Sequence, residues 1–259
     1  MLRMKKAKKI IVGNWKMNPV SPEEAKALVA GIKKEAKKAL KISEAVLCPP
    51  AVYLAETAKA LSATKLLVGS QDVHFVEGVS SQTGFISAIQ YKNAGAKYAI
   101  IGHSERRERG DTDEIVNKKT LAALNAGLVS ITCFGEKTRQ SNGEYLAVIR
   151  SQIEKALVGV SSDMLKKVLL SYEPVWAIGA KEAMTPRDLH EMSLYIRKVL
   201  IGLYGAPVAA GVRILYGGSV NPTNAEAIMK EGEVDGLLVG RDSLNAVNFV
   251  QILAIAAKC

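Results

Sequence analysis

The sequence predicts an α/β protein in which eight parallel strands close into a (β/α)8 barrel ringed by helices, with residues 1–259 as a single domain. Two observations support this prediction. Eight short apolar runs, rich in β-branched residues, alternate with amphipathic segments along the whole chain. Dividing the 259 residues by eight gives about 32 per unit, close to the roughly 30 that a strand and its helix need.

The predicted strands are nearly all continuous apolar runs, which is typical of strands buried on both faces of a parallel sheet. They are residues 10–14, 45–48, 66–69, 98–102, 128–133, 168–172, 213–216 and 236–240. An open doubly wound sheet is the alternative architecture. It would usually carry a glycine-rich fingerprint after the first strand, and the Gly-Asn-Trp-Lys at 13–16 does not resemble one.

Three segments carry a helix-start signal, in which a capping side chain precedes a proline at the first helical position. They are Ser21-Pro22, Thr185-Pro186 and Asn221-Pro222. The second and third signals precede amphipathic segments over residues 189–203 and 225–230. We therefore expect helices to follow the predicted strands at these places.

Composition argues against several classes of protein. No stretch approaches the ~18 consecutive apolar residues of a membrane span. The basic residues 1–9 run into only three apolar residues, too few for a secretion signal. Cys48, Cys133 and Cys259 form an odd set without a Cys-x-x-Cys pair, so neither a disulfide framework nor a zinc site is expected. A reducing cytoplasm fits this cysteine usage best.

The chain carries a net charge of +10, from 35 basic and 25 acidic residues. Such a charge favours anionic partners, and three explanations are open: solubility, attraction of a phosphorylated metabolite, and nucleic-acid binding. The lysines are scattered over predicted helices instead of forming one block with interleaved aromatic residues. Solubility is therefore the simplest explanation, and nucleic-acid binding has the least support.

Active sites of (β/α)8 barrels lie at the C-terminal ends of the strands, and two of these ends suit a phosphate group. Gly217-Gly218-Ser219 follows the seventh strand as a tight turn with exposed backbone N–H groups. A Gly-Gly-Ser segment alone is more often an ordinary turn. Gly240, however, ends the eighth strand just before Arg241 and a possible short helix. Together they resemble the phosphate site that such barrels build there.

Three other strand ends suit proton transfer. Glu173 follows the sixth strand and is the candidate general base, although one buried glutamate is more often half of an ion pair. His103 follows the fourth strand and could polarise a carbonyl, because the next backbone amides could form a helix N-terminus facing its ring. Lys16 follows the first strand and supplies a fixed positive charge. Alone, His103 could equally be structural and Lys16 a surface lysine.

The segment around Glu173 also predicts a moving lid. Its sequence, Tyr-Glu-Pro-Val-Trp-Ala-Ile-Gly at 172–179, gives a strand end, an acid, a stiff hinge with Trp176, and then small residues. A loop closing over the carboxylate would expel water and strengthen its basicity toward a weak carbon acid.

Four segments together carry a close resemblance to one enzyme family. They are Asn-Trp-Lys-Met-Asn at 14–18, Gly-His-Ser-Glu-Arg-Arg at 102–107, Tyr-Glu-Pro-Val-Trp-Ala-Ile-Gly at 172–179 and Tyr-Gly-Gly-Ser-Val at 216–220. They resemble the signature segments of the triosephosphate isomerases and occur in the same order. The resemblance implies a TIM barrel in the cytoplasm that interconverts dihydroxyacetone phosphate and glyceraldehyde 3-phosphate, without a metal or an organic cofactor.

The resemblance also implies a role for each matching residue. Glu173 would take the proton from carbon, and His103 would polarise the carbonyl and move protons between the two oxygens. Lys16 and Asn14 would bind substrate and stabilise the enediolate. Glu105 would hold Lys16. The phosphate would meet backbone N–H groups, which belong to Gly179, Ser219, Gly240 and Arg241.

The sequence departs from the family pattern in two places near the substrate. The far hinge of the lid, usually Thr-Gly-Gly-like or Thr-Gly-Lys-Thr-Ala, reads Ala-Lys-Glu-Ala-Met at 180–184, so closure could be slower or its equilibrium shifted. The end of the eighth strand often carries a second glycine, and here Arg241 and Asp242 follow Gly240. Because only backbone N–H groups are needed there, phosphate binding should survive.

The third departure lies in the loop after the third strand. In the family this loop reaches into a neighbouring subunit's active site, with an aromatic residue before Thr-Gly-Glu. Here Gln82 replaces the aromatic residue, Thr83 is retained, and Phe85 replaces the glutamate that usually pairs with an arginine, here Arg106. We therefore expect a homodimer with a weaker interface than is usual.

Two competing functions remain open. The first is another phosphosugar isomerase, epimerase or aldolase on the same barrel. A Schiff-base aldolase needs a desolvated lysine nucleophile; Lys16 is the candidate, and borohydride would trap it with substrate. A nucleic-acid-binding protein would bind with an affinity that falls steeply with salt, but the sequence has no recognised reader motif.

Overall fold

The eight predicted strands form one closed parallel barrel in a computed structural model of the protein, which describes residues 8–140, 142–178 and 184–259. The strands are β1 (Ile10–Asn14), β2 (Glu44–Cys48), β3 (Leu66–Ser70), β4 (Tyr98–Ile101), β5 (Val129–Phe134), β6 (Val168–Tyr172), β7 (Arg213–Tyr216) and β8 (Gly236–Val239). Each pairs with the next in chain order, and β8 pairs with β1. The predicted fold class is confirmed, and every strand boundary lies within one residue of its prediction.

Eleven α-helices cover the barrel in the described part of the chain. They are α1 (Pro22–Glu35), α2 (Ala51–Leu61), α3 (Ala88–Asn93), α4 (Ser104–Glu108), α5 (Asp113–Asn125), α6 (Glu144–Ala156), α7 (Ser162–Leu165), α8 (Pro186–Tyr204), α9 (Ala206–Ala209), α10 (Ala225–Glu231) and α11 (Ala246–Ala256). Short 3-10 helices occupy Ala39–Lys41, Val175–Ala177 and Arg241–Leu244. None of the described helices is both long and apolar enough to cross a membrane.

Two of the three predicted helix starts have the expected cap. The Ser21 hydroxyl accepts a hydrogen bond from the N–H of Glu24 at 3.2 Å, and Thr185 caps α8 in the same way. The third signal precedes α10 (Ala225–Glu231), which matches the predicted segment 225–230. The Asn221 side chain accepts from the backbone N–H groups of Thr223 and Asn224 and so caps the turn before α10, whereas the N-cap residue of α10 itself is Asn224.

The core has two layers because alternate strand residues face opposite sides of the sheet. One layer consists only of strand residues such as Ile10, Val12 and Ile100, and fills the inside of the barrel. The other joins the outward-facing strand residues, such as Ile11, to the apolar faces of the helices. Strands buried on both faces explain why their sequences are continuous apolar runs. The polar residues that follow the strands therefore collect at one end of a filled barrel.

Candidate active site

A cavity of about 630 Å³ opens at the C-terminal ends of the strands, within the roughly 300–1,000 Å³ usual for small-molecule sites. Six of the predicted site residues line it: Asn14, Lys16, His103, Ser219, Gly240 and Arg241. They follow strands β1, β4, β7 and β8, so the barrel brings together residues that are distant in the sequence. Glu173 and Glu105 contact residues of this cavity. Gly179, also predicted to bind phosphate, lies outside the described residues.

Glu173 is buried directly after β6, with 1% of its surface exposed. Its Oε2 accepts a hydrogen bond from the backbone N–H of Ser104 at 3.2 Å and lies 4.0 Å from Nε2 of His103. Its Oε1 has no hydrogen-bond partner among the described residues. A buried carboxylate oxygen without a partner is costly, and such an oxygen is available to accept a proton from a ligand.

Gly217 allows the end of β7 to approach this carboxylate. An added Cβ at Gly217 would lie 2.6 Å from Cγ of Glu173, closer than real carbon atoms pack. At Gly218, an added Cβ would overlap the hydroxyl of Tyr216. The two glycines therefore do more than form a turn: without Gly217, Glu173 could not occupy its present position.

His103 is the N-cap residue of α4, as the sequence predicted. Its Nδ1 accepts a hydrogen bond from the backbone N–H of Glu105 at 3.3 Å. Because that nitrogen acts as an acceptor, the ring proton sits on Nε2, on the side of Glu173. The helix N-terminus thus fixes the tautomer that can donate a hydrogen bond to a substrate oxygen.

Lys16 has an unusual backbone conformation, with φ of 53°, which costs a side-chain-bearing residue about 1–2 kcal/mol. Three contacts hold it there. Its backbone N–H donates to Oδ1 of Asn14 at 3.0 Å, and Nε2 of Gln71 donates to its carbonyl oxygen at 2.7 Å. Its Nζ pairs with Oε1 of Glu105 at 2.5 Å. The expected contact between Lys16 and Glu105 is therefore present.

The pairing with Lys16 affects the pKa of the Glu105 carboxyl. Burial alone would raise its pKa, but the hydrogen bond from Lys16 and the neighbouring positive charges outweigh burial. The pKa of Glu105 is consequently lowered below its usual 4.5. The ionised carboxylate that holds Lys16 is thus favoured by the folded protein.

The end of β8 has the predicted short helix after Gly240. Gly240 precedes the 3-10 helix Arg241–Leu244, and the first N–H groups of a helix have no acceptor within it. The Ser243 hydroxyl donates to the carbonyl oxygen of Gly240 at 2.6 Å and fixes this turn. On the neighbouring β7 end, Nδ2 of Asn224 donates to the carbonyl oxygen of Ser219 at 3.1 Å. Residues from two neighbouring strand ends, Ser219 and Gly240, therefore line the same cavity.

Two buried residues hold the segments that flank the predicted lid. Glu136 is 1% exposed, and its Oε1 accepts from both the Tyr172 hydroxyl and Nε1 of Trp176, each at 2.9 Å. On the far side, the backbone N–H of Met184 donates to the Tyr216 hydroxyl at 3.1 Å. Burial and the nearby Glu136 raise the pKa of Tyr172 above its usual 10, so its hydroxyl remains a donor. Residues 179–183, including most of the altered hinge, lie outside the described residues.

The comparisons with known proteins agree with this geometry. The family model described as Triosephosphate isomerase matches residues 9–256. The chain belongs to this family. The triosephosphate isomerases of Thermoanaerobacter pseudethanolicus and Caldanaerobacter subterraneus subsp. tengcongensis are each 44% identical to it over 94% of this chain and 98% of theirs. The crystal structure of triosephosphate isomerase from Bartonella henselae has a TM-score of 0.82 and 36% identity, covering 96% of this chain and 99% of that one.

Membership of the triosephosphate isomerase family was predicted from the sequence, but three supporting residues were missed. Gln71 holds the carbonyl of Lys16, Glu136 holds Trp176, and Gly217 makes room for Glu173. Each stands at the end of a predicted strand, which was the available signal. The sequence does not show which way their side chains point. Across residues 8–140, 142–178 and 184–259, no group of three or more His, Cys, Asp or Glu residues is arranged to hold a metal ion.

The first prediction concerns the packing of Gly217 against the base. In Gly217→Ala the new methyl group would displace the Glu173 side chain, and a ~1 Å displacement can cost up to about 100-fold in rate. We expect kcat for triose phosphate interconversion to fall at least tenfold, as measured by a coupled assay. The matched control is Gly202→Ala in α8, where an added Cβ meets no atom within 4 Å. Turnover of Gly217→Ala within twofold of the wild type would contradict this packing argument.

The second prediction is a pH dependence from Glu105. A carboxyl whose pKa is lowered in the folded state stabilises that state above its unfolded pKa and loses this effect as pH falls through the folded value. Glu105→Gln should therefore be less stable than the wild type at pH 6, and the difference should vanish as pH falls below 4.5. Thermal unfolding of both proteins between pH 6 and pH 3 measures this difference in stability. A difference that persists undiminished at the acid end would contradict the assigned Lys16–Glu105 pair.

Proposed function

We propose that this protein interconverts dihydroxyacetone phosphate and D-glyceraldehyde 3-phosphate by cofactor-free proton transfer through an enediolate, a step of glycolysis and gluconeogenesis. Family membership supports this reaction. The observation that carries it is the Glu173 carboxylate, 4.0 Å from His103 Nε2 and beside a cavity that is lined by Lys16, Ser219, Gly240 and Arg241. The reaction requires a base, a proton donor and a phosphate site close together.

The proton transfers follow from these positions. Glu173 removes a proton from the carbon beside the carbonyl, and the electron pair moves into a carbon–carbon double bond. The Nε2–H group of His103 donates a hydrogen bond to the substrate oxygen on which negative charge develops. The His103 ring then moves a proton between the two substrate oxygens. Glu173 returns its proton to the neighbouring carbon. The reaction is balanced without any oxidant, reductant or added group.

Stabilisation of the enediolate determines the rate, because a proton beside a carbonyl is a very weak acid. Every ~1.36 kcal/mol of stabilisation is about tenfold in rate. The Lys16 ammonium and the Asn14 amide are fixed beside the cavity before substrate arrives, so they need no reorganisation when charge develops. Glu105 positions that ammonium through its ion pair. In this proposal one preorganised unit is formed by Glu173, His103, Lys16, Asn14 and Glu105.

The phosphate group supplies binding energy remote from the reacting carbons. We assign it to the backbone N–H groups of Ser219, Gly240 and Arg241, which line the cavity, and to Gly179 of the lid. Gripping the phosphate can drive lid closure. A closed lid keeps water out and prevents the enediolate from expelling phosphate before it is reprotonated.

The aldolase alternative has less support. A Schiff-base lysine must be desolvated so that its amine is uncharged. The Lys16 side chain is 32% exposed, and its Nζ is paired with Glu105. Lys16 therefore lacks the buried surroundings that a Schiff-base nucleophile needs.

The third prediction tests the base. In wild-type protein a coupled assay should show rapid triose phosphate interconversion, and Glu173→Gln should reduce kcat by several orders of magnitude because glutamine cannot accept the proton. Inhibition by inorganic phosphate should persist in the variant, since the phosphate-binding groups are unchanged. Near-normal turnover of Glu173→Gln would refute the assigned role, and an inactive wild-type protein would refute the proposed function.

We further propose that the protein is a homodimer with a weakened interface. Met17 and Val79 are apolar side chains that are 93% and 99% exposed, in the loops after β1 and β3. Gln71 of the second loop contacts the carbonyl of Lys16 in the first, so these loops are neighbours. Apolar groups exposed together favour an interface. Gln82 and Phe85, where the family pattern has an aromatic residue and a glutamate, are both exposed in the same loop, which supports a weaker contact.

The fourth prediction concerns this assembly. Sedimentation should show dimers at micromolar protein concentration and dissociation toward monomers at nanomolar concentration, with activity falling as the protein dissociates. A monomer at every concentration that retains full activity would rule the proposed dimer out.

We also place the enzyme, as a single domain, in a reducing cytoplasm. Cys48 and Cys133 are fully buried, and neither forms a disulfide. Burial raises the pKa of both thiols above their usual 9, so both remain protonated and unreactive. These features fit a compartment in which disulfides are rare.

A further inference from the structure

A cluster of four charged side chains lies outside the cavity and takes no part in the mechanism above. Its members are Asp72, Arg106, Asp111 and Lys119. The Lys119 side chain is 4% exposed, and its Nζ lies 2.8 Å from Oδ2 of Asp72 and 2.7 Å from Oδ2 of Asp111. Nε of Arg106 lies 3.0 Å from Oδ2 of Asp72 and 3.8 Å from Asp111. Two positive and two negative charges thus balance within the cluster.

The cluster joins three parts of the barrel that surround the site. Asp72 lies two residues beyond β3, Arg106 lies in α4, and Lys119 lies in α5. Asp72 is therefore the member that links α4 to the end of β3. Gln71, the residue before it, contacts the carbonyl of Lys16. The same short segment after β3 thus contacts α4 on one side and the catalytic lysine on the other.

The position of α4 matters because its first turn carries much of the proposed machinery. His103 caps it, the Ser104 N–H binds Glu173, and Glu105 binds Lys16. The helix has only five residues, and helices that short are not stable alone. Its location must therefore be set by contacts with the rest of the protein.

Two successive arginines provide these contacts on different sides of α4. Arg107 donates to the carbonyl oxygens of Gly102 and Cys133 and pairs with Asp113 at 2.6 Å, which binds α4 to β4, β5 and α5. Arg106 contacts Asp72 on the β3 side. Removing the Asp72 carboxylate would therefore take away the contact of α4 with the segment after β3 and leave the contacts of Arg107 in place.

We propose that Asp72 is a positioning residue for the isomerisation, which acts through Arg106 to fix α4 and thereby His103 and Glu105. This inference rests on the proposed function and extends it. Asp72 supplies a carboxylate to Arg106 from within the same chain, with its Oδ2 3.0 Å from Nε of Arg106.

The decisive variant is Asp72→Asn, which keeps the shape of the side chain and removes its charge. Burial raises the pKa of Asp72 above its usual 3.8 despite the charges of Lys119 and Arg106, so the fold does not strongly favour the ionised form. We therefore expect the variant to fold. We expect kcat to fall about tenfold, since displacements below 1 Å cost less than the roughly 100-fold of a full ångström.

Further measurements distinguish this positioning role of Asp72 from a general effect on folding. Inhibition by inorganic phosphate should change less than about twofold, because its donors lie on β7 and β8, away from α4. Arg106→Gln breaks the same contact from a half-exposed position and should show the same loss of kcat. The double variant should lose clearly less than the product of the two single losses, since both variants remove the Arg106–Asp72 contact. Arg106→Gln also keeps the test decisive if Asp72→Asn fails to fold.

The matched control is Glu44→Gln, which removes the Glu44–Arg213 ion pair of 2.8 Å between the first residues of β2 and β7. This pair lies at the opposite end of the barrel, so its loss should change thermal stability and leave kcat unchanged.

Three results would overturn the proposal. The first is turnover of Asp72→Asn within twofold of wild type. The second is phosphate inhibition that weakens in parallel with kcat, and the third is a double variant whose loss of kcat equals the product of the two single losses. Inactive wild-type protein would overturn the proposed function as well, whereas active wild type with a normal Asp72→Asn overturns this inference alone.

Discussion

Closure of the sheet is the constraint on which every other feature of this protein depends. The β1–β8 ladder completes the ring, with Ile10 opposite Gly236. An added Cβ at Gly236 would overlap the backbone of Ile10, so a glycine is required where the first and last strands meet. Once the ring closes, all eight strands end at the same face. Residues as distant in sequence as Asn14 and Arg241 then line one cavity.

The short helix α4 connects the proposed catalytic groups at this shared face. The N–H of Ser104 in α4 contacts Glu173, the proposed base. His103 is the N-cap residue of the helix, and Glu105 pairs with Lys16. None of these groups is unusual alone. In the proposed mechanism, their combination within a few ångströms lets a weakly basic carboxylate act on a weak carbon acid.

The fold and six residues that line the cavity could be predicted from the sequence because both depend on local patterns. Continuous apolar runs predict buried parallel strands, and polar residues directly after them predict the site. The Asn221 signal predicted the segment of α10, but its side chain caps the turn before the helix, and the sequence did not show that Asn224 is the N-cap residue. Gln71, Glu136 and Asp72 were visible as strand ends, but their partners come from other strands and helices. Such tertiary contacts follow from the geometry of the closed ring, which no local pattern encodes.

The account depends most on the convergence of Glu173, His103 and Lys16 on one ligand. A crystal structure of Glu173→Gln protein with bound dihydroxyacetone phosphate tests this directly. We expect the phosphate on the N–H groups of Ser219, Gly240 and Arg241, the carbonyl oxygen within hydrogen-bonding distance of His103 Nε2, and the residue-173 side chain beside the reacting carbon. A ligand bound elsewhere, or one that reaches the phosphate groups while the three side chains point away from it, would contradict the account.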